Sequence, residues 1–217
     1  MEKSTKHASQ SEATQAKLIA AAQALMLRQG YAGTTVDEIC AEAGLTKGSF
    51  FHHYASKEAI CRAAVDAWGA MGTRLYAEAS SDPNADPLDQ LHRLFDIMIS
   101  FTTRDEPTLC MVGMMSQELA LTNPAMRTVC AGHLEDWTRM VVRMLSEAKR
   151  VHWTAVDFDP VRVGWLLNAI WQGSMLIAKT RQSPEMIRSN LELARAYVVG
   201  LFANPPAPAR APRKRSA

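Results

Sequence analysis

The chain has 217 residues, 47% of them hydrophobic and 21% charged. That is enough apolar material for one large domain or two small ones, and it excludes a chain that is disordered throughout. Lys and Arg number 24 against 22 Asp and Glu, and the net charge of +2 decides nothing about nucleic acid, because a local patch can hide in a neutral total.

The charge is unevenly placed. Residues 1–62 carry seven basic and six acidic side chains, residues 210–217 carry four basic ones, and the middle is net acidic. Cys40, Cys61, Cys110 and Cys130 contain no CxxC pair, and their spacing suits neither a zinc ribbon nor a disulfide framework. Reduced thiols in a cytoplasmic protein, with no metal and no cofactor, are the expectation. The opening MEKSTKHASQSEATQAK is polar and has no signal-peptide core. The most apolar run, Val163 to Ala178, has sixteen uncharged residues interrupted by Asn168 and Gln172. A bilayer needs roughly 20, so a helix buried on most sides is expected and no membrane partner.

The periodic segments are helical, with Pro and Gly as punctuation. A first helix is expected from about Ser11 to Gln29, stopped by Gly30. Thr35 and Glu38 form a capping-box pattern for a short second helix that ends at Gly44. Thr46 caps a third through Phe50, Phe51 and Tyr54, and Ser56 a long fourth to about Ser80. Asp86-Pro87 opens a fifth, to about Arg104, and Pro107 a sixth, through Cys110 to Leu121. Asn123-Pro124, Asp159-Pro160 and Ser183-Pro184 open the seventh, eighth and ninth. The fold is expected to be all-α, with about nine helices. A helix-turn-helix DNA-binding domain spans 1–62, a ligand-binding and dimerisation domain 63–203, and a disordered, basic Pro/Ala-rich tail 204–217.

The stretch Thr34 to Glu58 is the informative one. Two short helices meet at the tight turn Ala43-Gly44-Leu45, an arrangement that presents the second helix to a major groove. Leu18, Met26, Val36, Ile39, Leu45 and Phe50 supply a small shared core, because helices this short are marginal alone. The outer face then shows Lys47, Ser49, Phe51, His52 and His53, and Gly48 lets the backbone come close to a groove wall. Thr35 and Thr46 offer hydroxyls and helix N-terminal amides to phosphates, and Lys57 holds a phosphate on the flank. Neighbouring His52 and His53 point apart on a helix, which speaks against a metal. Spacing alone is a weak signal, since any small helical protein has short turns.

More specific is the run Thr34-Thr35-x-x-x-Ile39-x-x-x-Ala43-Gly44-Leu45-x-x-Gly48-Ser49-Phe50-Phe51-His52-His53-Tyr54-x-Ser56-Lys57-Glu58. It resembles the N-terminal signature of the TetR family of bacterial transcriptional regulators. The resemblance implies nine or ten helices in a homodimer, whose first three helices bind double-stranded operator DNA and whose others bind an inducer and the partner subunit. It also implies that Thr46, Lys47, Gly48, Ser49, Phe51, His52 and Lys57 lie at DNA-contacting positions. Phe51 and Tyr54 stand where the family more often has Tyr and Phe. Phe51 has no hydroxyl to donate to a phosphate and can touch a thymine methyl instead.

The remaining helices are rich in Met and aromatic residues, among them Met114, Trp137, Trp171 and Met175. Each singly reads as core; together they suggest an adaptable cavity for a small apolar ligand. Cys110 falls near the start of the sixth helix, where the helix dipole favours a thiolate. Cys110-Met111-Val112-Gly113-Met114-Met115-Ser116-Gln117-Glu118-Leu119, with Asn123-Pro124-x-Met126-Arg127 and Trp171-x-Gly173-x-x-x-x-Ala178-Lys179, is similar to a TetR branch of NemR- and AcuR-type regulators. That likeness implies an effector that is a reactive electrophile or a small unsaturated acid, with Cys110 as sensor and Lys179 as its cationic neighbour. The alternative is a buried, inert Cys110. The eighth and ninth helices are expected to make the dimer as a two-fold four-helix bundle, with Val163, Leu167, Ile170, Ser174 and Ile177 as the apolar surface to be covered and Gly164, Gly173 and Ala178 allowing close approach.

The chain contains no GxSxG, HExxH, P-loop or GxGxxG, and no nucleophile–base pair emerges from spacing. The expected function is therefore a DNA-binding regulator, a repressor released by its inducer, and no enzyme. The rival is an all-helical small-molecule-binding protein or enzyme without a DNA function.

Overall fold

A computed structural model of the protein describes residues 2–103 and 109–202. Among them run nine α-helices and no strand: α1 (Glu2–Gln29), α2 (Val36–Ala43), α3 (Lys47–His53), α4 (Lys57–Ala77), α5 (Pro87–Ser100), α6 (Met111–Leu119), α7 (Pro124–Val151), α8 (Pro160–Arg181) and α9 (Glu185–Leu201). The starts fall where local chemistry sets them. Thr35 and Glu38 close a reciprocal capping box on α2. Thr46, Ser56, Asp86, Asn123 and Asp159 each accept a first-turn amide of the helix that follows. Gly30 (φ 79°) and Gly44 (φ 64°) take the left-handed conformation just past α1 and α2.

Two helix starts differ from expectation. α1 starts at Glu2 and not near Ser11, its polar first turns carrying no apolar periodicity to announce them. α6 starts at Met111 with Cys110 as its N-cap. The expected start at Pro107 and the expected tail over 204–217 lie outside the described residues.

Two apolar cores result. The first gathers Leu18, Met26, Ile39, Phe50, Ile60 and Cys61 and is closed by Met111, Met115 and Leu119 of α6 and Met126 and Cys130 of α7. The second lies among α5, α7, α8 and α9 around Leu94, Phe95, Val141, Leu145, Leu167, Trp171 and Leu191. α4 runs unbroken across residue 62 and α6 packs with the N-terminal core, so the two halves are stitched together by long helices. Gly164 lets α8 approach α7, since a Cβ there would stand 2.7 Å from Val142 Cγ2. Asn168 secures that contact by donating to Leu134 O (3.0 Å) and Thr138 Oγ1 (2.8 Å).

The residues expected at a seam on α8 divide between two faces, with Ile170 and Ile177 on the outer one. Val163, Leu167 and Ser174 are buried within the protomer against α7 and α9. On the outer face Leu166 and Ile177 are exposed with half-buried Ile170 and Gly173 between them, flanked by exposed Trp165 and Leu176 and continued on α9 by Leu193 and Tyr197. No helix among the described residues is long and apolar enough to cross a membrane.

Candidate nucleic-acid interface and effector cavity

α3 has seven residues and is anchored by one side chain, the fully buried Phe50. Phe51 stacks edge-on against it at 5.2 Å and is 54% exposed. Lys47, Gly48 and His52 are exposed on the same short helix, Ser49 is half-buried, and Thr46 caps it through Ser49 N. Thr46, Lys47, Gly48, Ser49, Phe51 and His52 thus form one continuous outward face. Lys47 Nζ meets Asp37 Oδ1 at 2.7 Å, an exposed pair that holds α3 against α2 and that water and phosphate can exchange.

Two residues expected on this face are engaged elsewhere. The Thr35 hydroxyl accepts from Glu38 N and donates to Glu38 Oε2 at 2.8 Å, so its hydrogen is already used in the cap. Lys57 Nζ donates to Tyr31 O (2.9 Å) and Thr34 O (2.8 Å) and lies 4.2 Å from the centre of the Tyr31 ring. It ties α4 to the loop after α1. The local sequence could not reveal this, because both acceptors lie more than twenty residues away.

The second feature is a cavity of about 1260 Å³ between α4, α7 and α8. Trp68, Tyr76, Cys110, Trp137, Trp171 and Lys179 are on its wall. The Cys110, Trp137, Trp171 and Lys179 of the sequence reading therefore share one chamber. Met114 does not; it packs toward the N-terminal core, its sulfur 3.9 Å from Lys179 Nζ. Trp137 Nε1 is buried without a hydrogen-bond partner, a donor that costs free energy until an acceptor reaches it. Gly69 gives α4 room at this wall, since a Cβ there would lie 2.2 Å from the ring of His133. His133 is in turn held by Asp66 at 2.9 Å.

Cys110 is half-exposed because it faces this chamber, with Gln172 Nε2 3.7 Å from its sulfur. Its ionisation runs opposite to the sequence expectation. The surrounding protein desolvates a thiolate and pushes the thiol up, although the amides of Gly113 and Val112 and the Gln172 side chain pull it down. At an N-cap the dipole helps a thiolate, but burial outweighs it. Burial likewise pushes Cys61 up to about 12. The described residues contain no group of three or more His, Cys, Asp or Glu fit to hold a metal.

A short exposed helix after a tight turn at one end and a walled chamber at the other, with α4 running from one to the other, give the architecture of a helix-turn-helix protein. The pattern of "Bacterial regulatory proteins, tetR family" matches residues 18–64, and that of "Tetracyclin repressor-like, C-terminal domain" matches residues 87–193. The chain belongs to the TetR family and is a DNA-binding transcriptional regulator. It is 30% identical over 174 residues to the transcriptional regulator AcuR of Cereibacter sphaeroides, covering 79% of each chain. It is 26% identical over 197 residues to the HTH-type transcriptional repressor NemR of Escherichia coli, covering 88% of this chain and 95% of that one. Among solved structures, a regulatory protein TetR from Rhodobacter sphaeroides superposes with a TM-score of 0.73 at 26% identity, covering 83% of this chain and 96% of that chain. These relatives are named as regulators, not enzymes.

Proposed function

We propose that the protein is a cytoplasmic repressor, a two-fold dimer that holds a palindromic operator until a small molecule fills the cavity. The carrying observation is that α4 both begins beside the recognition helix, at Lys57, and forms the cavity wall from Trp68 to Tyr76. A ligand that moves this wall moves the DNA-reading end. A coupling of about 1–3 kcal/mol between the two sites is enough for such a switch. The inducer that suits the chamber has a largely apolar body and an acceptor for Trp137 Nε1, and Lys179 on the wall favours a carboxylate.

A second reading rests on Cys110, a thiol on the same wall. An electrophile seated in the chamber would alkylate it and lock the released state. A gel shift on an operator duplex, with and without N-ethylmaleimide, for wild type and Cys110→Ser, separates the two. Release in wild type alone supports the thiol switch. Release of neither protein leaves the non-covalent inducer, sought next with small carboxylates. Because the thiol is pushed up, its alkylation rate should still be climbing with pH at pH 9. A rate that levels off below pH 8 would contradict the buried thiol.

The DNA-contacting assignment has its own test. Lys47→Ala should weaken operator binding and lower the salt slope by about 1.8, the loss of one phosphate contact per protomer. Lys57→Ala should leave that slope unchanged and lower the thermal midpoint, since its ammonium serves the Tyr31 and Thr34 carbonyls. A reduced slope for Lys57→Ala would return this side chain to the phosphates.

A further inference from the structure

The loop after α1 is gripped from two sides. Lys57, at the head of α4, takes its carbonyls. Its amides are taken by Glu118, in the last turn of α6: Tyr31 N donates to Oε2 at 2.7 Å and Ala32 N to Oε1 at 2.6 Å. A carboxylate at a helix C-terminus works against the helix dipole. It is compensated here because the chain leaving α1 turns two amides outward after the left-handed Gly30. Gly30 is also sterically matched to it, since a Cβ there would lie 3.0 Å from Glu118 Oε2. Within the loop, Thr34 Oγ1 donates to Gly30 O at 2.7 Å, and Thr34 is fully buried, so the loop moves as one piece.

The opposite end of α6 is Cys110 on the cavity wall. Next to it, α6 is pressed against α8: a Cβ on Gly113 would stand 2.2 Å from Gln172 Oε1. Nine residues make a rod of about 13 Å, so a displacement at Cys110 arrives at Glu118 with little room to dissipate.

We infer that Glu118 is a latch through which α6, in parallel with α4, sets the position of the DNA-reading domain according to what occupies the cavity. This rests on the effector reading above and adds to it a named positioning residue and a second route. Glu118 is exposed, so water replaces it at either amide at little cost, and the latch opens and closes without unfolding anything. The two helices converge on one loop, which therefore registers their relative shift and not the movement of either alone.

Coupling is reciprocal, so the latch is testable without an inducer. An operator duplex is selected from a random pool with the wild-type dimer. Amide hydrogen exchange is then followed at Met111–Met115, the cavity end of α6, with and without the duplex. In wild type the duplex should change exchange there by about fivefold or more. In Glu118→Ala, which still binds the duplex and keeps its α7–α9 protection, the change should fall to about half of the wild-type one, the α4 route remaining. Glu118→Gln, which retains one acceptor, should fall between. An unaltered response in Glu118→Ala, or no response in wild type, overturns the latch. Failure of the effector reading would show differently, as exchange transfer that is intact while no probe releases the operator.

Discussion

Replacing Phe50 by Ala should cost about 3–5 kcal/mol, the range for truncating a fully buried aromatic side chain. That is a large share of the roughly 5–15 kcal/mol that holds a protein of this kind folded. The loss falls on the element least able to bear it. α3 is seven residues long, below the length at which a helix persists in water, and Phe50 is its only buried residue. Phe51 at 5.2 Å and Tyr54 at 6.0 Å also lose the ring they pack against. Operator binding should vanish in the gel shift, while near-ultraviolet signals from the tryptophans of the second core persist. Denaturant titration measures the energy. A loss under about 1 kcal/mol with operator binding intact would mean that α3 is held by something other than this ring.

Replacing Ile177 by Glu should turn the dimer into monomers and weaken operator binding by about 10²–10⁴-fold, the avidity lost when two half-sites are no longer held by one particle. Ile177 is 43% exposed and sits in an outward stripe with exposed Leu166 and half-buried Ile170 and Gly173. A two-fold axis through such a stripe brings each copy near its mate, so the substitution buries two like charges in an apolar seam. Gly173 fits that use, since no atom of the protomer lies within 4 Å of a Cβ built on it. Sedimentation and gel shift on the same sample check both halves. A variant that stays dimeric would move the seam off this stripe.

What was legible in the sequence was chemistry whose partners are close along the chain. Thr35 with Glu38, and Asp86 with Pro87, mark helix starts because a cap and its amide lie within three residues. The chamber was foreseeable in kind, from Trp137, Trp171 and Cys110, because apolar and sulfur-bearing side chains recur at helical spacing. What escaped depends on distant partners. Lys57 reads as a free cation until Tyr31 and Thr34 are folded against it. Glu118 reads as a surface carboxylate until the loop 31–32 arrives. The expected seam on α8 mixes buried Val163, Leu167 and Ser174 with outward Ile170 and Ile177, because the helix is apolar nearly all round and periodicity cannot say which side meets α7. Cys110 shows a second limit. Its place near the start of the sixth helix was readable, but the burial that governs its ionisation was not.

The sharing of α6 between the two halves restricts how such a regulator can be recombined. A fragment ending at residue 62 would leave Leu18, Met26 and Ile60 without Met111, Met115 and Leu119, the lid that the chain supplies fifty residues later. The DNA-reading unit is therefore not a cassette that can be cut at a linker and grafted onto a foreign sensor. A working chimera must import the sixth helix together with the first three, or redesign the surface on which that helix rests.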